Sequence, residues 1–279
     1  MLLFACTGAP ASTPGSGGTI AGLKRAHEMG IKAMEMEWVQ SVPKNTEHVA
    51  AVGEVAANLG IALTVHAPYF VNLNSPEKAK LAASKLRVVS ALTMAQIAGA
   101  RSVVVHAAFY LGQPPEKTMD NVRHAVDDIL KHKAKFFPEV NLALETMGKH
   151  TQFGTLEEVL QISKEFDLYP CIDPAHMHAR TNGKVNSTAE WDEMLDTYAD
   201  ALGKKSLQNM HLHFSGIAYG PKGEKHHVPL EESDARWRDF LRVLNRRRVG
   251  GILTCESPLM EDDTVLMQET FSLAQPGTL

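Results

Sequence analysis

Histidines and acidic residues stand at the ends of successive apolar runs in this chain, and their chemistry depends on whether those ends meet. Read in order, the third run closes on His66, the fourth on His106, the fifth on Glu145 and the sixth on Asp173; the seventh carries His211 and the eighth closes on Glu256. A lone histidine or carboxylate after an apolar run is ordinarily a hydrogen-bonded structural residue. Six in succession are different, because converging carboxylates repel one another and stay protonated unless cations neutralise them. Two further groups follow: Asp173-Pro174-Ala175-His176, whose spacing lets both side chains reach one small volume, and Lys222-Gly223-Glu224-Lys225-His226-His227. Adding His176, Glu224 and His226 gives nine candidate metal ligands, five imidazoles and four carboxylates. One four-coordinate zinc takes about three protein ligands plus water, so this set suffices for three ions if a carboxylate bridges two of them. Nitrogen and oxygen donors without thiolate suit zinc, manganese or iron. His178, His213 and His227 fall outside the set, with surface or supporting roles expected. His211 and His213 share a strand face, His213 lying one step further toward solvent.

The elements that must position these groups are short β-branched or apolar runs separated by helical stretches, the order of a parallel sheet covered by helices. Eight runs are marked: Leu2 to Cys6, Ile31 to Glu37, Ile61 to His66, Ser102 to His106, Val140 to Glu145, Leu168 to Asp173, Asn209 to His213 and Gly251 to Glu256. Pro170 interrupts the sixth. Helix punctuation lies between them: Ser75-Pro76 before a run ending at Gly99, capping-box spacings Thr155 to Glu158 and Ser187 to Glu190, and Gly30 and Gly60 as stops. Eight strand and helix units predict a single α/β domain over residues 1–279, a (β/α)₈ TIM barrel, with a doubly wound open sheet as the alternative. In a barrel the strands' carboxyl ends form the active-site face, which would gather the candidate ligands. Gly15 to Gly18 lacks the spacing and the lysine of a phosphate loop and reads as a plain glycine-rich connection.

Composition narrows the setting. The 279 residues are 44% hydrophobic and 22% charged, which excludes disorder. Apolar stretches are strand-sized and no basic segment leads into one near either end, so a soluble protein without membrane span or secretory signal is expected. Cys6, Cys171 and Cys255, an odd number set far apart, predict buried free thiols in a reducing, cytoplasmic setting. A net charge of −4 supplies no global basic field, so nucleic-acid binding would need a local patch or a bound cation. Lys222, Lys225, Arg236, Arg238 and Arg246 to Arg248 form either such a patch or an ordinary solvated face.

The segments His66-Ala67-Pro68-Tyr69-Phe70-Val71-Asn72-Leu73, His106 after Val103 to Val105, Ala143-Leu144-Glu145-Thr146, Ile172-Asp173-Pro174-Ala175-His176, Met210-His211-Leu212, Glu224-Lys225-His226-His227 and Ile252 to Pro258 resemble, in order and spacing, the endonuclease IV family of apurinic/apyrimidinic endonucleases, within the xylose-isomerase-like TIM barrels. The resemblance implies three zinc ions: one held by His66, His106 and Glu145, a second by Glu145, Asp173, His211 and Glu256, a third by His176, Glu224 and His226. It also implies cleavage of duplex DNA 5′ to abasic sites by a metal-bridged hydroxide, with Glu145 bridging and Glu256 orienting or deprotonating the water. Tyr69 and Phe70 resemble the wedge that enters DNA at the baseless site. The chain departs from the family at Ala5-Cys6-Thr7, where a histidine is usual, and at Glu35-Met36-Glu37-Trp38, where an arginine is usual. It also has Glu224 for aspartate and His213 for asparagine, and Val228-Pro229-Leu230 replaces the usual glycine-containing continuation. Glu35 and Glu37 would repel a phosphate backbone unless they face inward or are paired.

Two other functions fit parts of the pattern. A xylose-isomerase-like sugar isomerase or epimerase would use Glu145, Asp173, His211 and Glu256 for one divalent ion and act on a small sugar. A non-catalytic metal-binding homologue would keep ligands without the reaction.

Overall fold

Side-chain alternation along eight parallel strands sends one set of residues outward to helices and the other into the barrel interior. The computed structural model describes residues 1–15 and 17–273. Its barrel strands are β1 (Leu2–Thr7), β2 (Ala33–Glu37), β3 (Ala62–His66), β4 (Ser102–Val105), β5 (Asn141–Leu144), β6 (Cys171–Ile172), β7 (Met210–Phe214) and β8 (Gly251–Cys255). They pair in the order β5-β4-β3-β2-β1-β8-β7-β6. A parallel bridge between Glu145 and Cys171 joins the two ends of that order. The sheet therefore closes, which yields the (β/α)₈ barrel and removes the open-sheet alternative.

Helices follow the strands in turn: α1 (Thr19–Glu28), α2 (Thr46–Leu59), α3 (Lys78–Ala98), α4 (Pro115–Leu130), α5 (Leu156–Phe166), α6 (Pro174–Arg180) with α7 (Thr188–Leu202), α8 (Trp237–Arg246) and α9 (Glu261–Leu273). Both capping boxes form, Thr155 with Glu158 and Ser187 with Glu190. Gly60 ends α2 at φ 66°, a left-handed turn that residues with a β-carbon resist. The helix after Ser75-Pro76 begins at Lys78. The Gly15–Gly18 stretch leads toward α1, and Ser16 lies outside the described residues.

Two strands differ from the sequence expectation. Strand β6 is only Cys171–Ile172, because Pro170 has no N–H to give a ladder. Strand β7 starts one residue later than expected and runs on to Phe214, which matters for the histidines it carries.

The outward side chains, among them Phe4, Leu63, Val65, Val103, Leu142, Leu212 and Leu253, join the helices in one large apolar core. Each such buried side chain stabilises the fold by about 1.5–3 kcal/mol. Inside the barrel, Ala5, Ala33 and Ile252 pack with Leu3 and Ala62, and Val104, Ala143 and Cys171 form a second small cluster. The other inward positions are polar: Glu35, Thr64, His211 and His213 are all buried. The three cysteines are free and buried. Among the described residues no helix is long and apolar enough to cross a membrane.

Candidate metal centre

At the carboxyl ends of the strands, histidines and carboxylates meet in three adjoining groups. The first joins His66, the last residue of β3, to His106 and Glu145, which directly follow β4 and β5. Glu145 Oε2 lies 2.9 Å from His106 Nε2 and 3.5 Å from His66 Nε2, and the two Nε2 atoms are 3.3 Å apart. The second group is Glu145, Asp173, His213 and Glu256. His213 Nδ1 lies 3.2 Å from Glu145 Oε1 and 3.4 Å from Glu256 Oε1. Asp173 caps α6, its Oδ1 accepting from the His176 N–H at 2.9 Å. The third group is His176, Glu224 and His227. His176 Nε2 lies 3.7 Å from Glu224 Oε2 and 3.4 Å from His227 Nε2, and His176 Nδ1 is also 3.5 Å from Glu145 Oε1.

Hydrogen bonds set the state of these rings. His66 Nδ1 donates to the Ala67 carbonyl at 2.8 Å, His176 Nδ1 to the Thr146 carbonyl at 2.9 Å and His227 Nδ1 to the Glu256 carbonyl at 3.1 Å. A carbonyl only accepts, so each of these Nδ1 atoms carries the proton and each neutral ring presents an Nε2 lone pair to its group. Lone pairs converging on carboxylate oxygens need a positive charge between them. Glu145 Oε2 and Asp173 Oδ2 are in addition buried without a hydrogen-bond partner. A divalent cation in each group would satisfy these atoms, with the outward nitrogen of each ring fixed by the protein. The donor set, imidazole and carboxylate, is that of a divalent-metal site.

Protons are the alternative positive charge, and the same geometry attracts them. Burial disfavours a charged His66, but Glu145, with Glu35 and Glu256 behind it, outweighs burial and lifts the ring to about 9. Burial likewise opposes a charged His176, and Asp173 and Glu145 override it, again to about 9. The carboxylates respond in kind. Burial raises Glu145, yet His106 and His213 hold it well below the usual range; for Glu256 the same contest with His213 ends at about 2. Asp173 stays above its usual value because burial dominates there.

Two residues expected in the groups lie elsewhere. His211 shares its inward face with His213 but sits one step deeper, paired in register with Cys171. Its Nε2 faces Glu35 Oε2 at 3.0 Å and its Nδ1 meets Ser102 Oγ at 2.9 Å. His213 takes the place at the mouth beside Glu145 and Glu256; as the last residue of the run expected at Asn209 to His213, it follows the run-end rule that marked the other ligands. His226 is exposed on an antiparallel hairpin formed by Gly216–Gly220 and Gly223–Val228. There the register shifts: Ala218 pairs with His226 but Tyr219 with Glu224, leaving Lys225 as an extra residue. That bulge turns Glu224 and His227 to one face, where regular alternation would have put Glu224 with His226. No simple spacing rule reveals it.

The hairpin is held against the barrel by close backbone approach. Glu224 N–H donates to the Gly148 carbonyl at 3.0 Å, and a β-carbon on Gly148 would lie 2.7 Å from Glu224 Cβ and 2.8 Å from its Oε2. The Gly148 loop is itself tied down by Arg180 of α6, whose Nη1 donates to the Met147, Lys149 and Gln152 carbonyls.

The remaining expected residues divide by place. Tyr69 stacks on His106 with ring centroids 5.2 Å apart and is 45% exposed; Phe70 beside it is 61% exposed. Arg236, Arg238, Arg246 and Arg247 are engaged by Asp239, Glu231, Asp192 and Asp196, so they form ion pairs of the outer helices rather than a free cationic rim. Glu35 faces inward and is paired, while Glu37 ends β2 exposed.

Comparison with known proteins agrees with this architecture. An uncharacterised protein of Methanocaldococcus jannaschii is 32% identical over 98% of this chain and 97% of its own length. A probable endonuclease 4 of Shouchella clausii is 26% identical over 67% of the chain and 68% of its own. Among solved structures, endonuclease IV from Thermus thermophilus superposes with a TM-score of 0.74 at 19% identity, covering 98% of both chains. A D-tagatose 3-epimerase-like protein superposes at 0.70 and 16%, covering 98% of this chain and 96% of that one. At such identities the structures share the fold. The model of the xylose isomerase-like TIM barrels matches residues 23–273, and the chain belongs to that family.

Proposed function

We propose that this protein is a metal-dependent phosphodiesterase that cleaves duplex DNA on the 5′ side of abasic sites, using three zinc ions at the barrel mouth and acting in the cytoplasm. The observation that carries this reading is the division of Glu145: Oε2 faces His66 Nε2 and His106 Nε2, while Oε1 faces His213 Nδ1. A carboxylate so placed suits the shared ligand of adjoining cations, and the third group lies directly beside it. Zinc ions there, with manganese or iron as other candidates, would lower the pKa of water at the mouth and screen charge growing on a phosphate.

The chain's own groups have distinct work in this scheme. Glu256, whose Oε1 lies 3.4 Å from His213 Nδ1, is an acceptor that would orient the attacking water. His66, His176 and His227 are locked by main-chain carbonyls, so their ring planes need no rearrangement when substrate arrives. Tyr69 and Phe70 offer exposed aromatic faces beside His106, where a sugar without its base would rest. Inward pairing of Glu35 takes one carboxylate away from an approaching phosphate backbone.

A second reading has its own support. Glu145, Asp173, His213 and Glu256 alone make a four-ligand site for one divalent ion, and an epimerase-like protein shares the fold. Metal analysis with two assays separates the readings. About three equivalents per chain, with incision of duplex DNA at an abasic site that chelation abolishes, supports the phosphodiesterase. One equivalent, no incision and solvent-proton exchange into a ketose would overturn it in favour of a sugar isomerase or epimerase.

A further inference from the structure

Below the mouth, a column of buried polar side chains crosses the barrel interior. Glu35 of β2 is fully buried; its Oε1 lies 2.9 Å from His213 Nε2, its Oε2 lies 3.0 Å from His211 Nε2 and accepts from Thr64 Oγ1 at 2.8 Å. His211 continues the column to Ser102. The two approaches of Glu35 to imidazole are ion-pair distances without hydrogen-bond geometry, and Glu35 Oε1 and both Nε2 atoms are buried with no hydrogen-bond partner. An ionised carboxylate can only accept, so any bond that Glu35 makes to either imidazole requires an N–H on that ring's Nε2.

For His213 this has a directional consequence. Without a cation His213 Nδ1 donates to Glu145 Oε1 at 3.2 Å, since a carboxylate only accepts; a cation taken up there would replace that proton and leave the ring's other proton on Nε2, 2.9 Å from Glu35 Oε1. We propose that Glu35 is a positioning residue, selecting the tautomer and orientation in which His213 binds metal through Nδ1. This rests on the reading of Glu145, Asp173, His213 and Glu256 as a cation site. His213 then differs from His66, His176 and His227, which are anchored by neutral carbonyls and point Nε2 at their groups. A carboxylate behind the ring makes its free nitrogen more basic than a carbonyl does. It also places a buried negative charge below the cations, where the Thr64 hydroxyl donates to it and His211 Nε2 lies 3.0 Å away. His211 supports Glu35 and does not touch the mouth.

The test uses the zinc-loaded protein and two variants, Glu35→Gln and Glu35→Ala. Chelator competition should show one ion per chain weakened by about 10–100-fold in Glu35→Ala and less in Glu35→Gln, whose amide oxygen still accepts from Nε2. In the unaltered protein, ¹⁵N-histidine NMR should find the His213 proton on Nε2, slowly exchanging. A proton on Nδ1 would overturn the proposal without reference to any variant. So would full wild-type affinity for every ion in Glu35→Ala. A thiolate charge-transfer band in the cobalt-substituted protein would also overturn it, because the ring would then serve a cation among Cys171, His211 and His213. If the unaltered protein binds no ion at the Glu145–Asp173–His213–Glu256 group, the centre itself falls, a result distinct from an unaffected Glu35 variant.

Discussion

One flank of the mouth is built from barrel strands and the other from a hairpin, and the two reach similar chemistry by different means. His66, Glu145 and His213 sit at or next to strand ends, are all at most 1% exposed, and take their positions from the parallel register of the cylinder. Glu224 and His227 are partly exposed and ride on two antiparallel strands, placed by a bulge and by the contact of Gly148 with Glu224. Ligands of the first kind cannot move without opening the sheet. Those of the second kind can be displaced by one added methyl group. The strand flank should therefore tolerate nothing at its shared carboxylate, and the hairpin flank should be separable from the rest.

The largest effect is expected from Glu145→Gln. A neutral amide bridges two cations poorly, so activity should fall by at least about a hundredfold, with lower metal content; full activity would remove the shared-carboxylate scheme. His227→Ala should next cost about 10–100-fold in affinity for one ion while leaving the others in place, and loss of all ions together would show that the flanks are not separable. Gly148→Ala should weaken the same ion by about tenfold or more through its collision with Glu224, with the thermal midpoint nearly unchanged; a large drop in that midpoint would mean that the glycine serves the fold instead.

Acidity probes the comparison without mutation. In metal-stripped protein His66 and His176 should titrate near 9 rather than near 6.5, because Glu145 and Asp173 outweigh burial. Groups raised on folding lend full stability below 6.5 and lose it through 9. The stripped protein should therefore melt at lower temperature as pH climbs across that window, and an unchanged midpoint would contradict the geometry. The smallest effect is reserved for His226→Ala, which should change metal affinity by less than about twofold, as expected for an exposed side chain.

How much of this was readable in the sequence follows from the same contrast. Strand runs and their ends were legible because alternation and length mark them, and the structure brings His66, His106, Glu145, Asp173 and Glu256 together as those ends implied. The structure sets His213, not His211, beside Glu145 and Glu256; both share one face, and depth along a strand depends on where the strand stops, here Phe214. His227 was hidden by Lys225, an extra residue whose effect appears only when the partner strand is known. Glu35 was legible as an acid near the second strand's end, but not as the partner of two histidines, since three chain segments must close around it first.

The join between β5 and β6 has one further consequence. The residue that makes the bridge to Cys171 is Glu145, so the backbone of the seam and the carboxylate at the heart of the mouth belong to the same amino acid. A cation gripped there would act as a clasp across the narrowest stitch of the cylinder, and loss of the ion should let hydrogen exchange begin at that stitch before it spreads elsewhere.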